Sequence, residues 1–137
     1  MRNYAYVALG SAAGGLARLL IGVWVQEHFA DALPHAGARP FPVGTLVVNV
    51  TGSFLIGVLL VALGRHQAQA STIQFLLIIG LCGGYTTFSS FSADTVALLE
   101  GGGAGLAALN VAATLALGFA ATYAGYALAS SALRAPA

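Results

Sequence analysis

Four stretches of this chain are too apolar, and each too long, to be accounted for as ordinary water-exposed helices. A helix needs about 20 mostly apolar residues to cross roughly 30 Å of hydrocarbon, and Tyr4 to Val25, Val43 to Gly64, Thr72 to Leu99 and Ala104 to Ser130 each meet that length. Only 7% of the 137 residues are charged, against about 25% in soluble domains. The chain therefore reads as an all-α membrane protein, a single four-helix transmembrane domain over residues 1–137. An N-terminal secretory signal is not expected, because Arg18 interrupts the first apolar stretch and the remainder of the chain is equally hydrophobic.

The connections are short, so consecutive helices should be antiparallel neighbours in one bundle. The first, "QEHFADALPHAGARPFP", holds three of the four prolines and reads as an exposed loop ending where Pro42 can start a helix. The second, "RHQAQAS", reads as a short polar turn and the third, "EGGGAG", as a tight glycine turn. Arginines in short loops set orientation. Arg2, Arg65 and Arg134 fall on one side, and Arg39 with Arg18 on the other. That small bias leaves two topologies open, one fixed orientation and insertion both ways up with antiparallel pairing.

Several function classes drop out. A net charge of +1 provides no field for nucleic acid. A single Cys82 allows no intrachain disulfide, and no Cys/His spacing suggests a structural metal. His28, His35 and His66 lie in loops, and Glu27, Asp31, Asp94 and Glu100 lie at or beyond helix ends, so no nucleophile and base are arranged for catalysis. No mid-span carboxylate or histidine is available for proton coupling, which favours a passive pore for an anion over a proton-driven pump or a cation path.

Polar residues recur every fourth position, and each such step advances about 400°, keeping them along one slowly drifting stripe. The second helix carries Thr45, Asn49, Ser53 and Gly57; the fourth carries Asn110, Thr114, Gly118, Thr122 and Tyr126; the first carries Gly10, Gly14, Arg18 and Gly22. Small and hydroxyl residues permit close helix packing, which is the reading for the glycines of the first helix. Asn49, near mid-span, has two N–H donors and an acceptor to satisfy. Arg18 must snorkel, pair, or line a water-filled cavity where its charge would concentrate anions.

The stretch "GLCGGYTTFSSFS", Gly80 to Ser92, puts glycines and hydroxyls inside the third span. Broken backbone at membrane depth is tolerated only where it is buried in protein or lines an aqueous cavity, so "GGYTT" is expected to break the helix and free backbone groups as ion ligands. Beyond it Phe88 and Phe91 share a face, and a ring presented edge-on favours an anion.

Taken in order, "GTLVVNVTGSFLIG" and "GLCGGYTTFSSFS" resemble the two signature segments of the Fluc (CrcB-type) fluoride channels, and the likeness extends over all four spans. The resemblance implies an antiparallel dual-topology homodimer in the inner (plasma) membrane that passes fluoride out of the cytoplasm and limits its toxicity. It implies that Asn49 is a pore amide donating to fluoride, that Phe88 and Phe91 supply ring edges along the path, and that Thr45 and Thr114 join the polar track. By the same resemblance Ser89, Ser90 and Asp94 lie near one entrance, and the main-chain carbonyls of Gly83 and Thr86 hold a structural sodium ion at the dimer interface. The chain departs from the family at Asn110, Ser90 and Asp94, where members often carry Tyr, Thr and Glu. A small dual-topology multidrug transporter is the alternative, but such proteins resemble one another by a membrane-embedded Glu in the first helix, where this chain has Arg18.

Overall fold

A computed structural model describes residues 2–64 and 70–133. In it four helices are long and apolar enough to cross a membrane: Asn3–Ala32, Val43–Gly64, Thr72–Glu100 and Ala104–Ala132. The expected all-α architecture of four spans holds. The polar turn expected between the second and third spans falls mainly on residues 65–69, outside the described residues. Arg65 and Arg134 of the orientation count, and the Arg2 side chain, lie outside them too.

The first span is α1 (Arg2–Phe29), the second α2 (Val43–Gly64) and the fourth α6 (Ala104–Ala132). The third is composite. It begins as α3 (Ala70–Gln74), widens into a π-helical segment (Phe75–Cys82), and returns to one short turn, α4 (Gly83–Tyr85). It then breaks at Thr86 and Thr87, whose backbones are extended (φ −77°, ψ 156° and φ −149°, ψ 113°). It resumes as α5 (Phe88–Glu100). The break expected from "GGYTT" is therefore present, at the two threonines rather than at the glycines, which remain helical.

Glycines decide how closely these helices approach. A Cβ at Gly10 would collide with the Leu76 carbonyl, and one at Gly14 with the Leu81 carbonyl, so α1 lies backbone to backbone against the π-helical segment. On the other side of the bundle α2 meets α6 in the same way, Gly57 against the Thr122 carbonyl and Gly125 against the Phe54 carbonyl. Close packing through small residues substitutes for the hydrophobic drive that lipid does not provide.

The first connection is more ordered than an exposed loop. After a 3-10 turn (Ala30–Ala32) it forms an antiparallel hairpin, β1 (His35–Ala36) with β2 (Arg39–Pro40), in register His35 to Pro40 and Ala36 to Arg39. Gly37 takes φ +59° in its turn. Ala36 is buried with Phe41, Leu98 and Ala107 in a small apolar cluster, which is why this proline-rich stretch holds one shape.

Gly14 and Gly15 offer a matched test of the α1 seam. Gly14→Ala should lower the stability of the detergent-solubilised protein by about 1–3 kcal/mol, the usual range for overpacking. Gly15→Ala, whose Cβ would meet only Arg18 Nη2 at 3.9 Å, should leave it nearly unchanged. Denaturant or thermal midpoints of the two variants measure the difference.

Candidate functional site: a cavity at the helix break

The break leaves backbone groups without helical partners at a depth where water is scarce, and α2 provides the first remedy. Asn49 Nδ2 donates to the Thr87 carbonyl at 3.1 Å, and the Thr87 N–H donates to Asn49 Oδ1 at 2.8 Å. The side-chain amide thus pairs with one residue's peptide groups as a neighbouring strand would. One Nδ2 hydrogen remains unspent.

Thr87 also caps α5. Its Oγ1 accepts from the Ser90 N–H at 3.1 Å and donates to Ser90 Oγ at 3.1 Å, while Ser89 Oγ lies 3.2 Å away. Because Thr87 donates its only hydroxyl hydrogen to Ser90, the Ser90 hydroxyl keeps its own for another acceptor.

The break takes the helical donors from four carbonyls, Gly83 to Thr86, and for two of them the donor is seen engaged elsewhere. In a continuous α-helix the Gly83 C=O would accept from the Thr87 N–H and the Thr86 C=O from the Ser90 N–H. Here those hydrogens go to Asn49 Oδ1 and Thr87 Oγ1, so both carbonyls are without their helical donors. The threonine hydroxyls do not replace them, since Thr86 Oγ1 donates to the Cys82 carbonyl at 2.9 Å. Gly83 is exposed. Main-chain carbonyl oxygens are hard acceptors of the kind that ligate hard cations.

A cavity of about 620 Å³ leads to this break, lined by α1, the hairpin, the start of α2 and the face of α5. Along α1 its lining runs from Gly15 through Arg18 and Gly22 to Gln26, about 16 Å at 1.5 Å per residue. Its outer end carries Arg39, Pro40 and Pro42, and its inner end Thr87 and Ser90. Thr45 and Asp94 pair in its wall, the Thr45 hydroxyl donating to Asp94 Oδ2 at 2.7 Å. Of the ways open to Arg18, lining a cavity is the one taken. Among the described residues neither Arg18 nor Arg39 makes an ion pair or hydrogen bond, so the walls carry two arginines against one carboxylate.

Of the residues singled out from the sequence, Thr45 and Ser90 line the cavity, and Asn49 and Ser89 gather on Thr87 at its inner end. Phe88 and Phe91 follow on α5, ring centroids 5.5 Å apart and planes at 53°. Phe88 is 78% exposed and Phe91 8%. Thr114, half-buried on α6, is not part of the lining. Asn110 is 2% exposed and donates to Thr95 Oγ1 at 2.9 Å, and Thr95 in turn donates to the Phe91 carbonyl at 2.7 Å. It ties α6 to α5.

The structure adds Thr87, Gln26 and Arg39 to the site. Thr87 is recoverable from sequence, because a threonine three residues before Ser90 at a helix start is a capping pattern. Gln26 Nε2 donates to the Phe41 carbonyl at 3.1 Å and its Oε1 accepts from the Gly44 N–H at 3.0 Å, a pairing with no local sequence signal.

Asn49→Leu should leave the Thr87 N–H unpaired, at about 1–3 kcal/mol for a buried group, while the Thr87 C=O keeps the Phe91 N–H as the N-cap of α5. Hydrogen exchange at the Thr87 amide should accelerate in step with the loss of stability, whereas unchanged exchange would mean that water already reaches the break.

A family model described as CrcB-like protein, Camphor Resistance (CrcB), matches residues 5–126. A protein of Agrobacterium fabrum named fluoride-specific ion channel FluC is 44% identical over 128 residues, 93% of this chain and 96% of that one. Proteins of the same name from Acidobacterium capsulatum and Thermus thermophilus are 41% and 43% identical, covering 90% and 93% of this chain and 92% and 94% of theirs.

Proposed function

This chain belongs to the CrcB-like family, and we infer from that membership that it is a passive, fluoride-selective channel of the inner membrane, releasing fluoride from the cytoplasm. The observation that carries the reading is the cavity itself, which is lined by two unpaired arginines and reaches Thr87 and Ser90 at a braced helix break. A multidrug transporter is not favoured, since the matched relatives carry a fluoride-channel name and Arg18 stands in the first span. As a channel it is not an enzyme.

Fluoride is small and strongly hydrated, so a selective path must replace water's donors at close range and be too narrow for larger anions. We assign the spare Nδ2 hydrogen of Asn49 and the spare hydroxyl hydrogen of Ser90 as the first such donors beyond the cavity, with Ser89 beside them. Thr45 joins the track in so far as its hydroxyl can turn from Asp94. Thr114 joins it further along α6. The Phe88 and Phe91 ring edges then present partial positive charge while their bulk keeps water out.

The functional unit we propose is an antiparallel homodimer. Exposure of Phe88 and Gly83 on the single chain supports this, because a second copy would cover both. The Gly83 and Thr86 carbonyls of the two copies would hold a sodium ion, which would neutralise the freed oxygens and add positive potential beside the path. The Thr87 and Ser90 hydrogen bonds that divert those carbonyls' donors support the assignment.

Liposomes containing only this protein should release fluoride far faster than chloride. Phe88→Ile and Phe91→Ile keep most of the apolar bulk and should each lower fluoride efflux steeply with little loss of folding; full efflux in both would reduce the rings to packing. Replacing sodium by a large organic cation should abolish efflux, and returning it should restore efflux. Full activity in the absence of sodium would dismiss the metal site while leaving the channel in place.

A further inference from the structure

We propose that the His35–Pro40 hairpin is a positioning element that holds Arg39 over the outer end of the cavity, that the Gly101–Gly103 turn is its seat, and that Arg39 thereby gathers anions for the path. The proposal rests on the channel reading for its consequence, but its geometry stands apart from it.

The seat is built from absent side chains. A Cβ at Gly101 would strike the Ala36 carbonyl, and a Cβ at Gly103 would strike the Ala36 Cβ. Ala36 is 3% exposed between them. Gly37, at φ +59°, turns the chain immediately beyond this contact, and a Cβ there would lie 3.4 Å from the Gly101 carbonyl. The glycine turn that joins the third and fourth spans is thus shaped to receive the connection between the first and second.

Arg39 follows from that docking through the register. Ala36 is the cross-strand partner of Arg39, so fixing one backbone fixes the other. The hairpin's base is closed by the Phe41 N–H donating to the Pro34 carbonyl at 3.0 Å, and its exit is tied to α1 through Gln26. Leu98 and Ala107 pack beneath it with Phe41. The backbone of Arg39 is thereby held at the cavity wall, and its exposed side chain carries its charge there.

The charges that face the cavity are Arg18, Arg39 and Asp94, and Asp94 already accepts from Thr45. Arg39 makes no ion pair with any described carboxylate, so its field is not cancelled locally. Charge at the mouth of a low-dielectric cleft raises the local concentration of counter-ions and the rate of entry, and salt screens the effect within about 10 Å at 0.1 M.

The experiment measures fluoride efflux from liposomes at sub-saturating fluoride, at low and at high concentrations of an impermeant salt. Arg39→Gln should conduct on the order of 3- to 10-fold more slowly than the parent at low salt, with the gap closing at high salt, and Arg39→Lys should restore most of the rate. Gly103→Val should reproduce the Arg39→Gln defect and its salt dependence. Because Gly103→Val could fail to fold, docking is also read directly. In a Cys82→Ala background, an Ala36→Cys thiol should react slowly with a charged thiol reagent, and faster once Gly101→Ala is added. Parental efflux in Arg39→Gln at low salt would overturn the steering role, and rapid modification of Ala36→Cys in the otherwise parental chain would overturn the docking. A defect in Arg39→Gln that persists undiminished at high salt would assign Arg39 to the fold instead. Absence of fluoride efflux from the parent would overturn the channel reading itself, and the steering role with it, while the thiol kinetics still decide the docking.

Discussion

The pairing of the Asn49 amide with both peptide groups of Thr87 is the interaction on which the rest of the site depends. A helix interrupted within a membrane exposes donors and acceptors that lipid cannot satisfy, each at several kcal/mol. Asn49 satisfies one of them, the Thr87 N–H, from another helix and adds a second donor to the Thr87 carbonyl, and Thr87 satisfies the Ser90 N–H by capping α5. What remains unsatisfied is not random. The Gly83 and Thr86 carbonyls lose their helical donors because those donors were used to brace the break. The Asn49 amide and the Thr87 hydroxyl together hold the interruption at this place.

The sequence makes much of this legible, and the limits are physical. Span lengths follow from apolar runs, and the Thr45, Asn49, Ser53, Gly57 stripe follows from helical geometry, so α2 and its wet face can be drawn from residue spacing alone. "GGYTT" announces a break. That the bend falls at Thr86 and Thr87 rather than at the glycines depends on Asn49, 38 residues away, and no local pattern encodes a partner at that separation. The glycines instead serve packing: Gly84 fits beneath Ser11. The spacing of Asn110 places it on the polar stripe of the fourth helix and leaves open whether it extends a donor track or packs; its amide donates to Thr95, a contact set by how α5 and α6 cross. The hairpin is hidden for another reason. Prolines and glycines read as irregular loop, and only a glycine turn from elsewhere in the chain makes Ala36 a buried residue.

Backbone contact between helices appears on both sides of the bundle, at Gly10 and Gly14 for α1 and at Gly57 and Gly125 for α2 and α6. Side chains would hold these axes farther apart. With the seams closed, polar residues of α1, α2 and α5 line one cavity, and a small protein of four spans can keep it without a large apolar core. Few of its side chains are fully buried: Leu98, Val48, Asn110 and Cys82 are the largest.

The π-helical segment Phe75–Cys82 carries a less visible consequence. Its i→i+5 bonding winds the backbone more loosely than the α-helical turns on either side, so the angular position of each residue is offset from what a uniform spiral would give. A helical wheel drawn through the whole third span is therefore out of phase with itself. Residues before Phe75 and after Cys82 that share a face on such a wheel point in different directions. Gly80, at the middle of the offset, is brought round to meet Gly10, and the chain beyond it inherits that rotation, including the azimuth from which Thr87 presents its peptide to Asn49.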